Sequence, residues 1–176
     1  MSHIRVDSFG GCLNNAQSAQ AQARDKSNAD LYASYKFVLA IENSNCEDYV
    51  TEKLIDALSS TAVPIVASRD GKPDYRRFAP RHSYINIYDY KSAKELADHL
   101  NYLSNNETAY NEYLWFRRAP ANEYAVNADE SLGLTFRGLS FSLFLITPIH
   151  DASARKCVFL GVGSCGAIVA GESSPC

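Results

Sequence analysis

The chain has 176 residues, 46% of them hydrophobic and 21% charged, and a formal net charge of −3 at pH 7, which is the size and composition of one globular domain. So small a charge, with no run of Lys or Arg longer than two, gives no electrostatic footing for nucleic acid or an anionic membrane. No apolar run approaches the ~20 residues of a spanning helix, and Met1-Ser2-His3-Ile4-Arg5 does not lead into a signal-peptide core, so no targeting segment is expected in this chain.

In chain order, Ile4-Arg5-Val6-Asp7-Ser8-Phe9 alternates apolar with polar and meets Gly10-Gly11, the pattern of a half-buried strand ending in a turn. Residues 14–28 are rich in Gln, Ala, Ser and charge without an apolar period and read as a surface loop or frayed helix. Residues 35–41 are almost continuously apolar with β-branched and aromatic side chains, as in a parallel strand buried on both faces. A polar connection follows, with Asp48 as N-cap of a helix that sets Val50, Leu54, Ala57 and Leu58 on its core side. Residues 63–67 form the next strand, with Pro64 near its start, so that strand, helix and strand make a βαβ unit expected to cross over right-handed. Beyond it lie a short helix at 74–78 and a strand at 84–87. An amphipathic helix at 92–104 with Leu96, Leu100 and Leu103 on one face follows, then a helical stretch at 107–118 with Tyr110, Tyr113, Leu114 and Trp115. This order predicts an α/β fold built on a Rossmann-like, doubly wound parallel sheet.

Ligands of such sheets bind beyond the carboxyl ends of the strands, where helix N-termini offer free N–H groups and a partial positive charge. Residues 42–53 lie at such a place. On a helix of roughly 100° per residue, Tyr49, Glu52 and Lys53 share a flank away from the core face. Lys53 offers an ammonium to phosphate oxygens, Glu52 can accept two ribose hydroxyls, and Tyr49 and Asn43 can hydrogen-bond a ligand or the loop. Residue chemistry alone reaches a candidate phosphate or nucleotide site. The plain alternative is a solvated Glu-Lys pair, which is the state of roughly nine in ten such pairs.

The residues themselves resemble a known family. Tyr35-Lys36-Phe37-Val38-Leu39-Ala40-Ile41-Glu42-Asn43-Ser44, then Asp48-Tyr49-Val50-Thr51-Glu52-Lys53-Leu54, then Val63-Pro64-Ile65-Val66 resemble the signature of the α-1,3-fucosyltransferases. Val6 to Cys12, Tyr75 to Ile85 and Trp115-Phe116-Arg117-Arg118 are similar to its flanking stretches, so the resemblance runs over about residues 4–118. It implies the donor-binding C-terminal half of a two-domain GT-B glycosyltransferase. That enzyme moves fucose from GDP-fucose to a hydroxyl of N-acetylglucosamine in a glycoprotein glycan, with inversion and without a metal or other cofactor. By motif position, Lys53 would meet the pyrophosphate, Glu52 the ribose hydroxyls, and Tyr49 and Asn43 the remaining polar edge of the donor. The family's membrane anchor and acceptor-binding domain, with the carboxylate base, would belong only to a full-length form on the lumenal side of the Golgi cisterna membrane. No catalytic base is expected in this chain. Since a general base contributes typically ~10²–10⁴, this polypeptide alone is expected to transfer no fucose, and a GDP-fucose-binding pseudoenzyme is the alternative.

Composition also divides the chain. Of the 17 basic and 20 acidic residues, 14 and 15 precede residue 119, while six of nine glycines lie at or beyond Gly133. The expected organisation is therefore a GDP-fucose-binding domain over 1–118 and an irregular tail over 119–176, whose apolar runs at 139–146 and 158–170 are too short to span a bilayer. Five cysteines without CxxC spacing support no zinc site. Cys46 is open to pairing with Cys12 or to standing as a free buried thiol. Asn106-Glu107-Thr108 is an N-glycosylation sequon. Gly10-Gly11 lacks the GxGxxG spacing of a nicotinamide enzyme. His3, His82, His99 and His150 show no ligand spacing, and Trp115 with its neighbouring tyrosines reads as packing.

Overall fold

A computed structural model describes residues 4–8, 27–44, 46–119 and 155–159. Five strands, β1 (Asp7–Ser8), β2 (Tyr35–Leu39), β3 (Val63–Val66), β4 (Ile85–Asn86) and β5 (Arg155–Phe159), form one sheet in the order β1-β5-β2-β3-β4. Every pairing in it is parallel. The helices are α1 (Asn28–Tyr32), α2 (Glu52–Ser59), α3 (Ala93–Asn105) and α4 (Glu107–Glu112).

Helices cover both faces of the sheet, which is why β3, and β2 apart from Lys36, are apolar without alternation. On one face Tyr35, Val38, Ala40 and Val66 pack with Tyr32 of α1 and Leu54, Ala57 and Leu58 of α2. On the other, Phe37, Val63, Ile65 and Ile85 pack with Leu100 and Leu103 of α3 and with Tyr110 and Tyr113 at α4. The βαβ unit is present as expected, with Phe37 opposite Val63 and Leu39 opposite Ile65. Ser92 caps α3, its hydroxyl accepting from the Glu95 N–H at 3.2 Å.

Several local expectations are corrected. The first strand is only two residues long, and both Asp7 and Ser8 are buried; the Asp7 carboxylate is satisfied by the buried Tyr35 hydroxyl, which donates at 3.2 Å, and by Nε of the exposed Arg5 at 3.1 Å. A short helix not expected from the sequence, Asn28–Tyr32, follows the stretch read as loop or frayed helix, started by Ser27, whose hydroxyl accepts from Asp30 N–H at 3.2 Å. The fourth strand stops at Asn86, whose side-chain oxygen accepts from Ser68 N–H at 2.9 Å and starts a 3₁₀ turn over Ile87–Asp89. The last helical stretch breaks at Tyr113 and resumes as a 3₁₀ turn over Trp115–Arg117.

The largest difference concerns the tail. Residues 155–159, expected outside the sheet, occupy its interior: Val158 is opposite Asp7 on one side and Val38 on the other, so β1 and β2 are not neighbours. The division near residue 118 is therefore one of composition, and the sheet crosses it. The glycine loop at 10–11, the apolar run at 139–146 and most of the run at 158–170 lie outside the described residues. Among the described residues no helix is long and apolar enough to cross a membrane, and no three metal-binding side chains cluster. Cys46 is disulfide-bonded; Cys12, one partner considered for it, lies outside the described residues.

Candidate functional site

The chain leaves β2 at its carboxyl end, with Ala40 N–H still donating to the Ile65 carbonyl at 2.8 Å, and two residues later Glu42 turns inward. Its side chain is 1% exposed. One carboxylate oxygen accepts from Thr51 N–H at 2.7 Å; the other accepts from the Thr51 hydroxyl at 2.7 Å and from Lys53 Nζ at 3.3 Å. Lys53 Nζ also donates to Thr51 Oγ1 at 2.9 Å. The single hydroxyl proton of Thr51 thus goes to Glu42 while its lone pair receives Lys53, and all three side chains are satisfied together.

This arrangement revises the local reading. The N-cap of α2 is Thr51, whose hydroxyl makes no capping bond because it donates to Glu42 and accepts from Lys53. Asp48 sits three residues earlier with φ +59° and holds the Arg77 guanidinium through both of its oxygens. Tyr49, 40% exposed, precedes the helix, so the shared flank expected for Tyr49, Glu52 and Lys53 does not form. Lys53 is 8% exposed and turned inward toward Glu42 and Thr51. Glu52 keeps 65% of its side chain in solvent and lies 3.6 Å from Lys53 Nζ. The solvated reading of the pair therefore holds for Glu52 and fails for Lys53. Asn43 is exposed at the same turn.

The cations here already carry anionic partners. Besides Lys53, Arg76 pairs with Asp74 at 2.7 Å, Arg77 with Asp48, and Lys72 with Glu47 at 3.9 Å. Hydrogen bonding from Arg76 holds the Asp74 carboxyl below its ordinary range. Glu52 is likewise lowered, first by its own backbone N–H at the helix start, which burial opposes, and to a lesser degree by Lys53 and Thr51. Close by, the Tyr75 hydroxyl is buried without a hydrogen-bond partner among the described residues. Burial, and after it the charge of Glu42, pushes its pKa well up, so it stays a neutral donor.

Of the expected site residues, Glu52 and Lys53 are brought together, while Tyr49 and Asn43 lie on the exposed loop around them. Glu42, Thr51, Arg77 and Tyr75 carry the geometry without having been singled out from the sequence. The available signal for Glu42 was an acidic residue directly after a doubly buried strand, where the next helix starts. Asn106 caps α4, accepting from Ala109 N–H at 3.1 Å, and its Nδ2 donates to the Tyr102 hydroxyl at 3.0 Å.

Comparison with known proteins gives a consistent result. The model of the family described as "Glycosyltransferase family 10 (fucosyltransferase) C-term" matches residues 1–136. The chain is 42% identical over 116 residues to "Alpha-(1,3)-fucosyltransferase fut-1" of Caenorhabditis elegans, covering 65% of this chain and 25% of that protein. It is 43% identical over 112 residues to "Glycoprotein 3-alpha-L-fucosyltransferase A" of Drosophila melanogaster, covering 63% and 22%. The chain thus spans about a quarter of the length of these curated relatives. A fucosyltransferase-like protein of Arabidopsis thaliana is 33% identical over 161 residues, 90% of this chain and 26% of its own, so similarity extends past residue 118, further than the motif resemblance did. The solved structure titled "Crystal Structure of alpha1,3-Fucosyltransferase with GDP-fucose" superposes with a TM-score of 0.47 at 26% identity, covering 64% of this chain and 38% of that one.

Proposed function

Because the chain belongs to glycosyltransferase family 10, the fucosyltransferases, we propose that its sheet and α2 form the GDP-fucose-binding half of a GT-B enzyme that fucosylates N-acetylglucosamine in glycoprotein glycans. The observation that carries this reading is the Lys53 ammonium, held at the N-terminus of α2 beyond the carboxyl end of β2. A diphosphate bound there meets a fixed positive charge and the helix dipole, which stabilise it as a leaving group. Glu52 is the movable partner. Its contact to Lys53 is longer than a hydrogen bond and mostly solvated, a pair of a kind worth about 0–1 kcal/mol, so its departure toward the ribose hydroxyls frees an ammonium proton for a phosphate oxygen at little cost.

The transfer breaks the fucose C1–O bond to GDP as an acceptor oxygen forms a new bond to C1 from the opposite face. The acceptor proton goes to a carboxylate base, a role assigned to none of the described residues. We further propose that the enzyme works on the lumenal side of the Golgi. The Cys46 disulfide suits an oxidising compartment, and the Asn106 sequon would be usable there.

Calorimetric titration of the chain with GDP-fucose, beside Lys53→Ala, tests the donor site. Binding by the intact chain and its loss in the variant are expected, and absence of binding by the folded chain would overturn the reading. A turnover assay with an N-acetylglucosamine-terminated glycan then tests the expectation that this polypeptide alone binds the donor without transferring it.

A further inference from the structure

We propose that Glu42 is a positioning residue for donor diphosphate recognition, acting through Thr51 and Lys53 as a single hydrogen-bonded unit. The proposal rests on the donor reading above and goes beyond it, since Glu42 itself touches no part of the donor. A lysine side chain normally loses much rotamer freedom when it binds a phosphate. Here that freedom is already removed. Lys53 Nζ is fixed by two acceptors, Thr51 Oγ1 at 2.9 Å and Glu42 Oε2 at 3.3 Å, leaving its third proton on the side of exposed Glu52 at 3.6 Å. Glu42 in turn cannot follow a ligand outward: its side chain is 1% exposed and both oxygens are committed to Thr51.

The two carboxylates beside Lys53 therefore have different tasks. Glu52, in water, can leave. Glu42, buried, stays and keeps the ammonium aimed while its charge makes the burial of Lys53 tolerable. It also accepts the Thr51 N–H at the start of α2, so the helix N-terminus and the cation are presented in one fixed geometry. Such advance ordering shows in discrimination between ligands with and without the diphosphate, and a merely structural role does not predict that.

The test measures GDP and guanosine affinities of the full chain and of Glu42→Gln, Thr51→Val, Thr51→Ser and Lys53→Ala, with folding followed by circular dichroism. Wild type is expected to favour GDP strongly. Glu42→Gln and Thr51→Val should each lower the GDP-to-guanosine affinity ratio by roughly tenfold or more, the worth of a charge-assisted hydrogen bond, with guanosine binding unchanged. Thr51→Ser keeps the hydroxyl and should stay within about threefold of wild type. If Glu42→Gln fails to fold, the Thr51 pair decides alone. Wild type binding GDP no better than guanosine overturns the donor reading and this proposal with it. A ratio lost in Lys53→Ala but kept in Glu42→Gln and Thr51→Val overturns the positioning role alone, as does equal weakening of both ligands.

Discussion

Replacing Lys53 by Met removes the ammonium while keeping an apolar stem of similar length at a position that is 8% exposed, so packing changes little. What changes is the environment of Glu42, whose carboxylate is almost wholly buried and has Lys53 as its cation within 4 Å among the described residues. Removing one partner of a buried pair costs about 3–5 kcal/mol, because the other charge remains desolvated. Glu42 keeps two hydrogen bonds from Thr51, which places the expected loss at the lower end, about 3 kcal/mol. Urea unfolding followed by the fluorescence of Trp115, the single tryptophan, measures it. The double variant Glu42→Gln/Lys53→Met leaves no unpaired charge and should recover most of the loss, giving a coupling energy above about 1 kcal/mol in a double-mutant cycle. A Lys53→Met protein within about 0.5 kcal/mol of wild type, or additive single losses, would refute the claim that this pair is buried and coupled.

Three other outcomes follow from the structure. A chain ending at residue 154 lacks β5, the strand that pairs with β1 and with one side of β2; it should lose its cooperative thermal transition and bind an apolar dye, whereas unchanged unfolding would place β5 outside the stable fold. Ser92→Ala removes the hydroxyl that accepts Glu95 N–H at the start of α3 and should cost about 1 kcal/mol in chemical denaturation, with no change in GDP affinity. His99 lies 3.2 Å from the Tyr113 hydroxyl among the rings of Tyr90, Tyr102 and Tyr113, and burial, then the nearby His82, lowers its pKa. The unfolded chain therefore binds this proton more readily than the folded one, so stability should fall as pH drops through and below the ordinary histidine value of about 6.5 and be restored above it. Thermal melts from pH 7.5 to 5 should be flatter for His99→Gln than for wild type; parallel profiles would remove His99 as the cause.

Much of the fold was legible because burial on two faces leaves an unmistakable pattern. Residues 63–66, and 35–39 apart from Lys36, are apolar without alternation, since helices cover both sides of the sheet, and Leu100 and Leu103 recur at the helical period that places them on one core. Short elements were less legible. β4 ends where the Asn86 side chain reaches Ser68, eighteen residues back, and no local propensity encodes that contact. The site was legible as residue types in register, which is how Glu52 and Lys53 were found, but their helical angles misled. A helix starting at Asp48 would set Tyr49 on their flank, whereas the helix starts at Thr51, where Glu42 holds the N–H and hydroxyl.

Sequence by itself determined the α/β class, the βαβ unit and the stretch holding the candidate site, because each depends on periodicity or residue type within a short span. Only the tertiary structure decided that Lys53 is buried and Glu52 is not, since eleven residues separate Glu42 from Lys53 and their meeting depends on how α2 returns across β2. It also decided that the compositional tail contributes a strand between β1 and β2. Parallel pairing joins segments distant in the chain, so a strand's place in the sheet follows from the neighbours that bury it, which composition does not record.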